Sequence, residues 1–156
     1  MEEEEVTRKL YDYLRAKGWE MLSYGVPKGM KARTIHDIDS GFRARDSIIP
    51  DIIARKENVL LVIESKPQFS LEDITKLKNM TDGHLKYMKQ IFGLSKMENL
   101  VVQKAVGFNR FKLHQDLQQV PNDFIIFLIN GPIIVYVRSG TLMSSKLLDE
   151  FNPKKV

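Results

Sequence analysis

From about Glu3 to Lys17 the apolar positions Val6, Leu10, Tyr13 and Leu14 recur at helical spacing. Glutamates occupy the first turn and Lys17-Gly18 reads as a stop, so the spacing predicts an amphipathic helix. Trp19 to Tyr24 predicts a short strand. Gly25 to Asp46 carries Pro27, Gly29, Gly41 and many charges without a sustained apolar period, and reads mostly as loop. An ordered loop of about twenty residues in a small domain is usually functional. Ile48 to Arg55 and Val59 to Lys66 are rich in Ile, Val and Leu, and the short turn Lys56-Glu57-Asn58 makes them an antiparallel hairpin. Pro67 is expected to stop the second strand. Ser70-Leu71-Glu72-Asp73 reads as an N-cap with an acid three residues on, opening a helix through Leu71, Ile74 and Leu77. That helix either runs past Asp82-Gly83 through Leu85, Met88 and Phe92 or divides there, and Gly93 ends it. Leu100 to Phe108 predicts a strand and Arg110 to Gln119 a helix. Phe124 to Asn130 and Pro132 to Arg138 form a hairpin around Asn130-Gly131, and Ser144 to Phe151 a last short helix. The order α-β-β-β-α-β-α-β-β-(α) describes an α/β or α+β fold, a mixed sheet flanked by helices, in one domain spanning 1–156.

Composition narrows the possibilities. The chain has 156 residues, 43% of them hydrophobic, enough for one core. Its longest apolar runs, Val59 to Ile63 and Phe124 to Ile129, are strand-sized, so no membrane partner is expected. The opening glutamates resemble neither a signal peptide nor a transit sequence, and a cytoplasmic location is the expectation. The absence of cysteine leaves oxygen or imidazole to hold any metal, which favours a hard cation. A net charge of +4 decides little by itself. Its distribution says more: Lys28, Lys31, Arg33, Arg43 and Arg45 crowd the long loop, while acid is concentrated in Glu2 to Glu5. The loop reads either as a phosphate-contacting segment or as a solvated stretch balanced by Asp37, Asp39 and Asp46. Lys76, Lys78, Lys86 and Lys89 likewise suit a backbone-tracking face or an ordinary helix surface. Phe42, Phe69, Tyr87 and Phe92 are expected as core or loop anchors, and Met80, Met88 and Met97 as core filler. His36-Asp37 has no serine or cysteine nucleophile in a recognisable setting, so His36 is not assigned a catalytic role.

Three ionisable groups interrupt the apolar hairpin: Asp51, Glu64 and Lys66. Strand alternation points Glu64 and Lys66 the same way and Ser65 to the other side. Antiparallel pairing brings Asp51, at the start of one strand, to the same end of the sheet as Glu64. Two close buried carboxylates repel one another unless a positive charge lies between them. Magnesium, which takes oxygen ligands and retains waters, suits Asp51, Glu64 and the backbone carbonyl of Ser65. It would generate a nucleophilic water and offset charge on a phosphate, with Lys66 positioning or deprotonating that water or contacting the phosphate. The competing explanation is a structural ion pair of Glu64 with Lys66.

Pro50-Asp51, twelve intervening residues and Glu64-Ser65-Lys66 resemble the PD-(D/E)xK nuclease superfamily, which includes restriction endonucleases and archaeal Holliday-junction resolvases. The resemblance implies a restriction endonuclease-like α-β-β-β-α-β core, matched in order from Glu3 to about Val135, and metal-dependent hydrolysis of phosphodiesters in DNA, less often RNA. Magnesium would be the cofactor, with manganese a substitute. It also implies an acid from the first helix, for which Glu3 is the candidate, with Glu4 and Glu5 as alternatives. Gln68 and the loop from Lys28 to Arg45 would contact the nucleic acid. Cutting both strands would require a homodimer or pairing with another nuclease subunit. The alternatives are a non-catalytic nucleic-acid- or partner-binding module of the same fold, and an RNA endonuclease.

Overall fold

The computed structural model describes residues 2–25 and 31–156. Helix α1 (Glu3–Ala16) forms where the apolar spacing predicts it, with Glu3, Glu4 and Glu5 in the first turn, where the helix dipole favours negative charge. Strands β1 (Glu20–Tyr24), β2 (Ile52–Lys56) and β3 (Val59–Gln68) follow as an antiparallel meander. Helices α2 (Leu71–Lys78) and α3 (Asp82–Ile91) carry the chain over to β4 (Val101–Arg110), which lies parallel to β3. Helix α4 (Leu113–Asp116) leads to β5 (Ile125–Ile129), parallel to β4, and β6 (Ile133–Val137) returns antiparallel. After α5 (Ser145–Asp149), the short β7 (Lys154–Lys155) pairs in parallel with β6. The result is a mixed α/β architecture: a seven-stranded sheet in sequential order and five α-helices among the described residues.

Strand alternation splits the core into two layers. Val59, Leu61 and Ile63 face α1 and pack with Val6, Leu10 and Leu14. Leu60 and Val62 face the other way, against Ile74, Leu77 and Met88 of α2 and α3. Met80 and Met97 pack around this second layer, as expected of filler. On the α1 side, the helix comes close to the sheet at Gly107. A Cβ there would lie 3.1 Å from Leu10 Cδ2 and 3.3 Å from Ile129 Cδ1.

The structure departs from the sequence expectation in four places. Strand β2 begins at Ile52 rather than Ile48, because Ile48 pairs instead with Ile35 in an isolated bridge and Pro50 has no N–H to continue a ladder. Pro67 does not stop β3. It lies past the last β2 pairing, Ile52 with Ile63, so β3 needs no donor on that side there. The helix expected over Arg110 to Gln119 shrinks to α4 and a 3-10 turn, Leu117–Gln119, because β4 runs on to Arg110 and Phe111 then lies parallel to Phe108 (centroids 5.7 Å apart). Ser70 occupies the N-cap position of α2 but its side chain makes no capping bond.

The two readings left open at Asp82-Gly83 resolve into division. The break falls at Asn79 to Thr81, where Thr81 N–H donates to His84 Nδ1 (3.0 Å) and closes a capping box on α3. Gly83 is required here by close approach. The Asp37 carboxylate enters the first turn of α3, accepts from the Thr81 hydroxyl (2.8 Å), and stands where a Cβ on Gly83 would be. His84 Nε2, which carries the proton when Nδ1 accepts, donates to the Asp46 carbonyl. The segment from Ile35 to Ile48 is thus pinned to α3 at both Asp37 and Asp46.

Candidate active site

Pairing of Ile52 with Ile63 places the next residues outward, Asp51 and Glu64, opposite one another where β2 begins. Asp51 Oδ2 accepts from the Ser65 N–H (2.8 Å) and lies 3.4 Å from Ser65 Oγ. On the opposite face of β3, Ser65 Oγ is 2.7 Å from Thr7 Oγ1 in a buried contact, which ties α1 to the strand bearing Glu64. Thr7 Oγ1 also lies 3.1 Å from the Glu3 carbonyl.

Asp51 and Glu64 act on one another as a close carboxyl pair, and both are held above their ordinary range. Burial and the neighbouring Asp51 charge push Glu64 up to about 10. Burial also raises Asp51, opposed by the Ser65 N–H and the Glu64 carboxyl. Lys66 Nζ donates to Glu3 Oε1 at 2.9 Å and stands 3.9 Å from Asp73 Oδ2. The Glu3 hydrogen bond and the surrounding carboxylates hold the lysine above its ordinary value and therefore charged.

Asp51, Glu64, Lys66, Glu3, Asp73 and Lys76 line one cleft of about 330 Å³. Asp73 was not singled out in the sequence. Its place three residues after Ser70 reads as helix capping, yet the residue is 7% exposed, and its Oδ2 has no hydrogen-bond partner. The available signal was its spacing of four from Leu77, which puts it on the inward stripe of α2.

The expected nucleic-acid contacts do not gather at this cleft as a set. Lys28 lies outside the described residues. Lys31 is exposed. Arg33 is exposed and its backbone N–H donates to Ser23 Oγ (2.8 Å). Arg43 is ion-paired with Asp46 at 3.0 Å. Arg45 lines an adjoining hollow of about 320 Å³ that shares Ser47, Ile48 and Lys76 with the carboxylate cleft. Gln68 is exposed in a third hollow, at the ends of β3 and β4. Lys86 is tied to Asp39 at 3.0 Å. His36 packs against Tyr87 and Phe42, with centroids 5.2 and 5.8 Å away.

The donor chemistry fits a hard divalent cation. A half-buried Asp51 and a buried Glu64 face each other with both carboxyls raised, and a cation between them would relieve that repulsion. Among the described residues no three His, Asp or Glu side chains gather into a metal-holding group. Glu3, the expected third acid, is drawn to Lys66. No helix is long and apolar enough, among the described residues, to cross a membrane. Comparisons with known families, characterised proteins and solved structures found no match.

Proposed function

We propose that this chain is a magnesium-dependent endonuclease of the restriction endonuclease-like kind, hydrolysing phosphodiester bonds in DNA. The observation that carries the reading is the pairing of half-buried Asp51 with buried Glu64, with Lys66 in the same cleft. The order of α1, the β1–β2–β3 meander, the helices after it and the parallel β4 supports the restriction endonuclease-like assignment, with restriction-type cleavage and junction resolution as its two uses.

Asp51, Glu64 and the Ser65 carbonyl would hold magnesium, or manganese in its place. Bound there, the cation supplies an acidified water and offsets the negative charge that builds on the phosphate during attack. The chain's own groups set the geometry. The Ser65 N–H fixes the Asp51 carboxylate by a hydrogen bond, and Thr7 braces Ser65 from behind. Lys66, kept charged by Glu3, Asp73 and Asp51, is placed to hold a phosphate oxygen or orient the attacking water. Asp73 keeps that ammonium over the cleft from the α2 side.

Supercoiled and linear DNA incubated with the protein should be cut in magnesium, and not in EDTA or by Asp51→Ala. Cleavage that survives either change sinks the assignment. RNA offered in the same assay separates a ribonuclease. Binding without cleavage in any metal would favour the non-catalytic module, the reading on whose side stands the lack of a three-acid group among the described residues.

A further inference from the structure

The hollow at the C-terminal ends of β3 and β4 begins at Gln68, two residues along β3 from Lys66 of the carboxylate cleft. Glu64, Lys66 and Gln68 alternate along β3 and so share one face, with Gln68 about 7 Å beyond Lys66. Parallel pairing sets Phe108 beside Lys66 and Arg110 beside Gln68. The hollow, of about 410 Å³, has room for one base and its sugar and is lined by Gln68, Phe69, Arg110, Phe111, Lys112 and Gln115.

Its lining combines an aromatic wall, two side-chain amides and two cations. Phe111 lies parallel to the buried Phe108 (interplanar angle 3°), and Phe69 leans on both at 5.6 and 6.2 Å, so the aromatic wall is braced from the core. The Gln68 and Gln115 amides each offer donors and an acceptor, which matches any base edge. Arg110 and Lys112 are exposed and in no ion pair among the described residues. The acid on the rim, Asp116, is already engaged by the Lys112 N–H at 2.7 Å.

We propose that this hollow takes one unpaired base of the strand whose phosphate lies at Glu64 and Lys66, so that the substrate is DNA with a single-stranded or frayed nucleotide beside the cleaved bond. The inference rests on the reading that a nucleic-acid strand crosses the carboxylate cleft. A base held in a duplex stack has no free face to offer Phe111, whereas an unpaired base does. The cations then serve its flanking phosphate and the amides its edge.

The test measures binding of the full chain in EDTA, where no cleavage is expected, to fluorescent duplexes with a short overhang. In one series each overhang nucleotide in turn is replaced by an abasic one, which keeps the charge and removes the base. Wild type should lose about tenfold in affinity at one overhang position, the effect of one lost base–aromatic stack. Phe111→Leu and the exposed-site variant Gln115→Ala should reduce or abolish that difference, with unchanged thermal melts showing intact folds. Asp51→Ala should keep it. Equal affinity for base-containing and abasic overhangs at every position overturns the proposal, as does a base preference indifferent to both hollow variants. A base preference that maps to Phe111 without any magnesium-dependent cleavage would overturn the nuclease reading and leave the base site standing.

Discussion

Glu64 sits where an acid is hard to ionise. It is buried beside Asp51 and near Asp73, and its ordinary value of 4.5 is pushed up to about 10. Between those two values the folded chain holds a proton that the unfolded chain has released. The stabilising contribution is therefore complete below the ordinary value and is lost as pH rises toward the raised one. The metal-free protein should melt at progressively lower temperature across that window. Glu64→Gln, which keeps the shape and a donor but cannot ionise, should flatten the decline. At about pH 8 it should melt several degrees above wild type, because the wild type loses up to about 1.4 kcal/mol for each pH unit across that window. Melting curves in EDTA at unit steps between about pH 5 and about pH 9 would check this. A variant profile parallel to the wild type would mean that Glu64 is not the group responsible.

Between elements, the contact that governs the cleft's outer wall is the insertion of Asp37 beside Gly83. A Cβ at position 83 would lie 1.8 Å from Asp37 Oδ1, so Gly83→Ala must expel the carboxylate from the first turn of α3. Amides from Ile35 to Ile48 should then exchange hydrogen about tenfold faster while β3 and β4 keep their protection. Unchanged exchange in that segment would mean the loop is held elsewhere. Thr81 holds the Asp37 carboxyl below its usual range, so acid should have a related effect: this clamp is present above the ordinary range and lost as pH falls through the lowered value. Elements governed by their own periodicity were legible in sequence. Helix α1, the β2–β3 hairpin and the β5–β6 hairpin, with Gly131 at φ 72, needed no distant partner to be recognised. What escaped depended on tertiary choices. Ile48 left its expected strand for Ile35, and Phe111 gave up a helix to lie on Phe108. The site divides in the same way. Alternation alone puts Glu64 and Lys66 on one side of β3, but Asp73 joins them only because α2 lands over that end of the strand, an angle no local pattern encodes.

At the scale of the molecule, the first turns of α1 and α2, the start of β2 and the outer half of β3 converge on one cleft. Glu3 and Asp73 stand in first turns, where helix dipoles favour their charge. One carboxylate cleft of this kind is present per chain among the described residues, and on the nuclease reading one cleft attacks one strand at a time. On the nuclease reading, cutting both strands of a duplex therefore requires two copies or two visits, and these leave different kinetics. If single chains act alone, nicked circles should accumulate from supercoiled DNA before linear molecules, each initial rate rising in proportion to protein. If two copies assemble on the duplex, linear product should rise with about the square of protein concentration where the free chain is monomeric. An excess of Asp51→Ala should then trap nicked circles, because a mixed pair has one working cleft. Given the expected pairing of copies, the second pattern is the predicted one. It is checked by plasmid cleavage across a protein titration, with sedimentation of the free chain alongside. Linear product rising only in proportion to protein, undiminished by the inactive partner, would refute assembly.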